Sequence, residues 1–537
     1  MRERFARWDV LFVQLLRRDW KKILFWVLGV GLFSTGFVPA FEEIGKGQGF
    51  RALYETMQNP AMIAIVGPTP VDRAEDYTLG AMYAHEMLLF CGLLAMILSA
   101  LHVIGHTRRE EDLGLMELVR SFPVGRQAAS LAVMAETVLI NAILALAIGG
   151  MLAGYGEPSL SAEGSLLFGA SIGMGGVLGA AVALLMAQVM PASSAATGAS
   201  LGIIGALFLV RAGTDMTHES LSMLNPLGWT YLTYPFTENH GVPLAFAAIF
   251  SFLAVAAAFA LEGRRDLGAG FLPEKPGRVA AGRSLLSVHG LFLRLNRGVI
   301  LAWMIAFFAI GASYGSIYGD MQTFLESNEI LRQMFTAAGV SIEASFTGVI
   351  LLVTTSLVAI LPVALVNRLF TEEVRLRLSQ VFATKVTRTR LYWTNVILAV
   401  LAGAAGTAVS AGGLGAAAAA AMGEGAPLDI GDFFAAAFNF FPAVLFFAGL
   451  AALALGWSPR LGRAVYLYLA YSFAINYFDG VANFPEWFSG TAVQSWIPRM
   501  PAEPFDGAVF AAVTAIGAAL MVLGYAGYRR RDMAEGG

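Results

Sequence analysis

Twelve continuous apolar stretches dominate the chain, at about 23–41, 84–105, 127–153, 165–190, 195–212, 242–262, 299–318, 347–367, 391–422, 433–456, 462–478 and 507–528. A helix needs roughly 20 apolar residues to cross a bilayer. The stretches run on without alternation, which excludes a β-barrel, and lipid admits only helices or closed barrels. The pattern predicts an all-α integral membrane protein of about twelve transmembrane helices.

The polar stretches between these runs carry the next level of order. Residues 110–126 begin with Glu110, Glu111 and Asp112, end with Arg120 and Arg126, and place Leu115, Leu118, Val119 and Phe122 at helical spacing. Acids at the start and arginines at the end suit a helix dipole. Pro123 and Gly125 stop the element. The prediction is a short amphipathic helix held between two spans, with Glu117 beside its apolar stripe. The stretch recurs 262 positions later, where Glu372-Glu373 falls on Glu110-Glu111, Leu378 on Met116, Val381 on Val119 and Arg388 on Arg126. The second copy lacks the Pro and Gly, and Arg377 replaces Leu115.

A second repeat flanks the first. Residues 8–22 and 284–297 each pair an apolar with a basic face ahead of a span, as helices lying in a membrane interface do. Trp26 and Trp303 follow them at similar distances, and the outer segment 42–83 is longer than its counterpart 319–346. The chain therefore divides into a first six-span half (1–262), a Gly/Pro/Arg-rich linker (263–283) and a second six-span half (284–537). Both halves enter and leave the membrane alike, so the two form a parallel, pseudo-symmetric repeat.

Composition agrees. Of 537 residues, 57% are hydrophobic and 14% charged, against about 25% charged in soluble proteins. The net charge of −3 gives no reason to expect nucleic acid. Placing the N-terminus inside puts 29 of the 35 Lys and Arg on inner segments, leaving Lys46, Arg51, Arg73, Arg211, Arg332 and Arg499 on or near the outer side. The predicted topology is multi-pass, with both termini and both Glu-Glu stretches cytosolic. The single cysteine, Cys91, lies in an apolar run and excludes a disulfide framework. His85, His102, His106, His218, His240 and His289 show no metal-ligand spacing, and His102 and His106 read as a solvated helix end. The N-terminus has no small-residue cleavage site.

Few polar residues fall inside the spans. Glu136, Asn141 and Asn439 are candidates for a translocation path, and intramembrane charge is functional by default. The competing reading is structural, since Glu136 is near Arg126 and Arg211 can snorkel outward. Small residues crowd the third, fourth and ninth spans, among them Gly150, Gly154, Gly169, Gly173, Gly175 and Gly179, and let helices approach closely. Outer segments around Asn225-Pro226-Leu227-Gly228-Trp229, Trp496-Ile497-Pro498 and Glu503-Pro504-Phe505 suit short interfacial or re-entrant helices, either as an aromatic belt or as a lid.

The Glu-Glu-x-x-Gly-x-x-Glu-Leu-x-Arg stretch with Pro-Val-Gly-Arg after it (110–126) resembles the cytosolic loop of ABC-2-type exporter permeases. The linker Arg264 to Pro273 with Pro276-Gly277, the segment Leu295 to Gly298 and the Asn225–Trp229 motif are similar to one subgroup, the fused twelve-span permeases known as exporters of polyketide antibiotics or as multidrug exporters. The resemblance implies that 110–122 and 372–384 are coupling helices, each seated in a groove of a separate ATPase subunit. Glu110, Glu111, Leu115, Glu117, Leu118, Phe122, Glu372, Glu373, Leu378 and Val381 would make those contacts. It implies two copies of an ABC ATPase as partners, with ATP and Mg on the ATPase and no cofactor in this chain. It also implies a hydrophobic or amphipathic small molecule, such as a drug or antibiotic, as cargo. No Gly-x-x-x-x-Gly-Lys-Ser/Thr loop occurs, as expected of a permease without its own ATPase site. A secondary, ion-coupled transporter is the alternative, because twelve spans in two parallel halves also describe the major facilitator class. A membrane-bound enzyme would need a polar constellation that the histidines do not supply.

Overall fold

The computed structural model describes residues 2–45, 49–58, 60–217, 219–273, 279–320, 341–423, 428–482 and 485–533. Lys46, His218, Pro276, Gly277, Arg332 and most of the outer segment 319–346 lie outside the described residues. Helix is the regular structure of the described residues, without strands among them, and eleven candidate spans are long and apolar enough to cross a membrane. The protein is an all-α, multi-span membrane protein.

Two compact units make up the chain, Met1–Gly277 and Arg278–Gly537. The first is built on α1 (Trp8–Thr35), α2 (Leu79–His106), α3 (Ala128–Ala153), α4 (Ala162–Val189), α5 (Ser193–Thr217) and α6 (Val242–Glu262). The second is built on α7 (Val288–Gly315), α8 (Ile342–Val374), α9 (Arg388–Met422), α10 (Ile430–Asn439), α11 (Phe441–Trp457), α12 (Ala464–Ala482) and α13 (Gly507–Arg530). The predicted tenth span stands as one crossing, Ile430–Trp457, broken at Phe440 into α10 and α11, because Pro442 in the first turn of α11 cannot continue the hydrogen-bond ladder of α10. The stretch predicted as the eleventh span folds as α12, whose 19 residues stand outside the eleven.

Both units use one pattern of helix pairing. In the first, α1 packs on α3, α2 on α4, α3 on α4 and α4 on α6. In the second, α7 packs on α9, α8 on α11, α9 on both α10 and α11, and α11 on α13. The fourth span of each unit is therefore central. Glycines admit the close crossings. A Cβ on Gly179 would sit 2.2 Å from the Met96 carbonyl, and one on Gly169 at 2.2 Å from that of Ala145. Gly150 faces open space. A further close approach lies where no small-residue motif was read: a Cβ on Gly456 of α11 would sit 2.0 Å from the Gly524 carbonyl of α13.

Helix starts are capped by short polar side chains. Thr78, Ser161, Ser287, Ser341 and Thr387 each accept from the backbone N–H three residues on, and Asp506 accepts from Ala508 and Val509. These caps satisfy donors that have no partner inside their helix. Of the outer aromatic segments, the first folds into the short helix Gly228–Tyr231, where Trp229 donates to the Met223 carbonyl at 2.7 Å, Trp496 ends the short helix Val493–Trp496, and Glu503-Pro504-Phe505 is not helical.

Candidate functional site

The stretch after α2 is not one helix. It forms Arg108–Asp112 and Leu115–Arg120, separated by Gly114 in the left-handed region at φ 73°. The same break occurs after α8, which runs on through Glu372 and Glu373 to Val374. Leu376, at φ 57°, then turns the chain into Leu378–Phe382. Gly114 and Leu376 are 262 positions apart, so the turn repeats even where the glycine does not. The amphipathic pattern missed the break because its apolar residues Leu115, Leu118 and Phe122 all lie after Gly114 and say nothing of the backbone before it.

Each turn is clamped to its own unit. Glu111 is buried and accepts from both Arg265 terminal nitrogens, at 2.9 and 2.8 Å, and from the Gly268 N–H at 3.2 Å. Arg108, fully buried, donates to Glu111 at 2.8 Å, to the Ala269 and Gly268 carbonyls at 3.0 and 2.8 Å, and to that of Pro191. Asp112 accepts from the Ser193 N–H that opens α5, at 2.7 Å. The segment following α6 is fixed in turn, since Phe271 and Leu272 donate to Gln188 and Val189 at the end of α4. The chain start joins the same end: Gly125 and Gln127 donate to the Ala6 and Arg4 carbonyls.

The second unit repeats the clamp with different residues. Glu373 is buried and accepts from Arg531 at 2.6 Å on each oxygen. Arg531 follows α13, as Arg265 follows α6, and also donates to the Leu455 carbonyl at 3.1 Å. Glu372 pairs with Arg377 at 3.1 Å and with Arg368 at 3.9 Å.

The expected contact residues therefore separate into two sets. Glu111, Glu372 and Glu373 are turned inward and bonded within their units, a placement their sequence position does not disclose. Glu110 pairs with Arg18 at 2.9 Å. Leu115, Leu118 and Phe122 are 48%, 64% and 62% exposed, Leu113 adjoins them at 61%, and Glu117 is exposed beside them. Met116 is the apolar residue that anchors the turn. Burial pulls the Arg120 guanidinium below its ordinary value, against the opposing pull of Glu262 and Glu111. In the second unit Leu378 is buried and Val381 half-buried, and both line a groove of ≈ 630 Å³ with Leu286, Phe292, Leu295 and Val386. Leu376 is its exposed apolar residue.

The polar residues inside the spans are buried. Asn141 donates to Ser99 and to the Thr137 carbonyl, both at 2.9 Å, and Asn439 donates to the Pro498 carbonyl at 2.6 Å. Glu136 lies 3.2 Å from His102 Nε2. His102 and His106 do not form a solvated helix end: their side chains are 10% and 12% exposed, and His106 Nε2 lies 3.1 Å from Asp19. No local pattern could disclose this, because Asp19 is on another helix. Arg211 does not snorkel outward. It is fully buried, pairs with Asp215 at 3.0 Å, donates to the Ala64 and Ile65 carbonyls, and lies over the Phe208 and Tyr231 rings.

Comparison with known proteins agrees with this architecture. The family described as multidrug efflux system permease Rv1217c, C-terminal domain, matches residues 285–529. The multidrug efflux system permease protein Rv1217c of Mycobacterium tuberculosis is 30% identical over 534 residues, covering 96% of this chain and 94% of the relative. A match along nearly the whole length of both chains, embracing both units and both clamped turns, places this chain in the family of multidrug efflux system permeases.

Proposed function

We propose that the chain is the membrane permease of an ATP-driven exporter of hydrophobic or amphipathic drugs, resident in a bacterial cell membrane, with its termini and both turns in the cytosol. Two copies of a separate ABC ATPase would bind it, one at each turn, carrying the ATP and Mg. The observation that carries this reading is the exposed apolar ridge Leu113, Leu115, Leu118 and Phe122, standing on a turn that Glu111, Arg108 and Arg265 hold rigid. Isolated apolar residues at a surface need no explanation, but a contiguous ridge of them marks an interaction site.

The clamps suggest how force would travel. A push on the first turn reaches Arg265, three residues past the end of α6, through Glu111. A push on the second reaches Arg531, one residue past α13, through Glu373. Each ATPase would thus move the last span of the unit it grips. The two contacts differ, since the first turn offers a ridge and the second the groove beneath Leu378.

The test is co-purification of the chain with its ATPase from a membrane extract. Leu118→Asp with Phe122→Asp should abolish recovery of the ATPase and leave the yield and unfolding temperature of the permease unchanged. Undiminished recovery would remove the ridge from the docking surface. An ion-coupled cycle is the second reading, favoured by the buried carboxylate Glu136.

A further inference from the structure

We propose that the first unit contains a proton-accepting site at Glu136, loaded through His102 and His106 from the end of the unit that carries Arg18 and Glu110. Glu136, in α3, is fully buried, and its Oε1 has no hydrogen-bond partner. Its Oε2 lies 3.2 Å from His102 Nε2. The His102 and His106 rings are in contact edge-to-face, with centroids 4.4 Å apart. His106 Nε2 lies 3.1 Å from Asp19 Oδ2, and its Nδ1 meets both Arg18 and Glu110. Asp19 is fully buried and joined to exposed Lys22 at 2.6 Å. A line of exchangeable groups thus runs from an exposed rim to a carboxylate inside the helix bundle.

The long helices packed on α3 are accounted for. Helix α1 supplies Arg18, Asp19 and Lys22, all at the His106 end, and α2 supplies His102 and His106. The turn after α2 supplies Glu110. The ionisable residue of α4 is Glu163, in its first turn and so at the far end. His102 is therefore the titratable group that faces Glu136, and imidazole is the side chain that changes charge near neutrality.

The internal repeat shows that the fold does not require this line. Shifted by 262, the positions of His102, His106 and Glu136 hold Ala364, Arg368 and Leu398. Shifted by 277, that of Asp19 holds Asn296, while Trp26 keeps its match in Trp303. The second unit forms the same helix pairings with an apolar, amide or fixed-charge residue at each place. An intramembrane carboxylate is costly unless it is neutralised or paired. The proton is a ligand that needs no cavity. In the transfer, an imidazolium at His106 passes its proton to His102 by ring rotation. His102 then gives it to Glu136 Oε2, leaving a neutral imidazole and a neutral carboxylic acid. Discharge follows the same route in reverse.

The test is time-resolved infrared spectroscopy of the full chain in liposomes after a drop in pH, the probe being the proton itself. A carboxylic-acid C=O band should appear in the native protein and be missing in Glu136→Gln. His102→Gln and His106→Gln should retain the band but slow its appearance at least tenfold. A structural role for the histidines would lower the unfolding temperature and leave that rate unchanged, and this result would overturn the proposal. So would a native protein in which no band depends on Glu136. If His102→Gln does not fold, His106→Gln, nearer the rim, decides the matter.

Discussion

Arg531 holds both carboxylate oxygens of Glu373 at 2.6 Å, across 158 residues of sequence, and so ties the end of the last helix to the turn after α8. Arg265 and Glu111 do the same for the first unit. Removing one partner of a buried ion pair strands the other, which costs about 3–5 kcal/mol. Arg531→Ala and Arg265→Ala should each lower stability by that order, whereas Arg531→Met combined with Glu373→Met should recover most of it. Thermal unfolding in detergent would check both. Equal losses in the single and double variants would show that the pair does not act as a unit.

The repeated left-handed turn gives a second expectation. A left-handed residue other than glycine costs roughly 1–2 kcal/mol, and glycine escapes that cost. Gly114→Leu should therefore destabilise the first unit by about 1 kcal/mol. Leu376→Gly should be neutral or stabilising by a fraction of that, because the relief of strain is offset by the greater freedom of glycine in the unfolded chain. Hydrogen exchange at residues 376–384 would detect the change. Faster exchange in Leu376→Gly would show that the leucine side chain, which is 55% exposed, contributes more than its backbone costs.

Arg211 fixes the far end of the first unit. Its guanidinium joins Asp215, the backbone of the helix Pro60–Val66 and the rings of Phe208 and Tyr231. Lysine has one ammonium and no planar fork, so it cannot serve all of these. Arg211→Lys should lose stability by about 2 kcal/mol or more, close to the loss in Arg211→Ala, because the acid and the carbonyls remain buried in both. Protease cleavage within residues 60–66 would report detachment of that helix. Full rescue by lysine would mean that charge alone is required.

The apolar runs made the spans legible, because the bilayer imposes one length and one composition on every crossing helix. Glu110-Glu111 and Glu372-Glu373 were legible as a repeated motif. Their inward orientation was not, since it depends on Arg265 and Arg531, which lie 154 and 158 residues away. The histidine line was hidden for the same reason: it joins α1, α2 and α3, and periodicity within a helix says nothing about which residues meet between helices. Gly114 could have marked the break in the first turn. Leu376 could not, because leucine carries no sequence signal for a left-handed backbone.

The clamps also predict that the acids of the first turn respond unequally to charge reversal. Glu111→Arg would set a third guanidinium beside Arg108 and Arg265 in a buried site, and should prevent folding or cost more than about 3 kcal/mol. Glu117→Arg changes an exposed residue and should leave stability within about 0.5 kcal/mol of the native protein. If the turn receives an ATPase, Glu117→Arg should weaken that association tenfold or more at low salt, and less at high salt, because a surface charge is screened. Binding of the purified ATPase to the permease in nanodiscs, measured at two ionic strengths, would show this. Unchanged affinity for Glu117→Arg would confine the interface to Leu113, Leu115, Leu118 and Phe122, and loss of affinity with no salt dependence would point to a distorted turn instead.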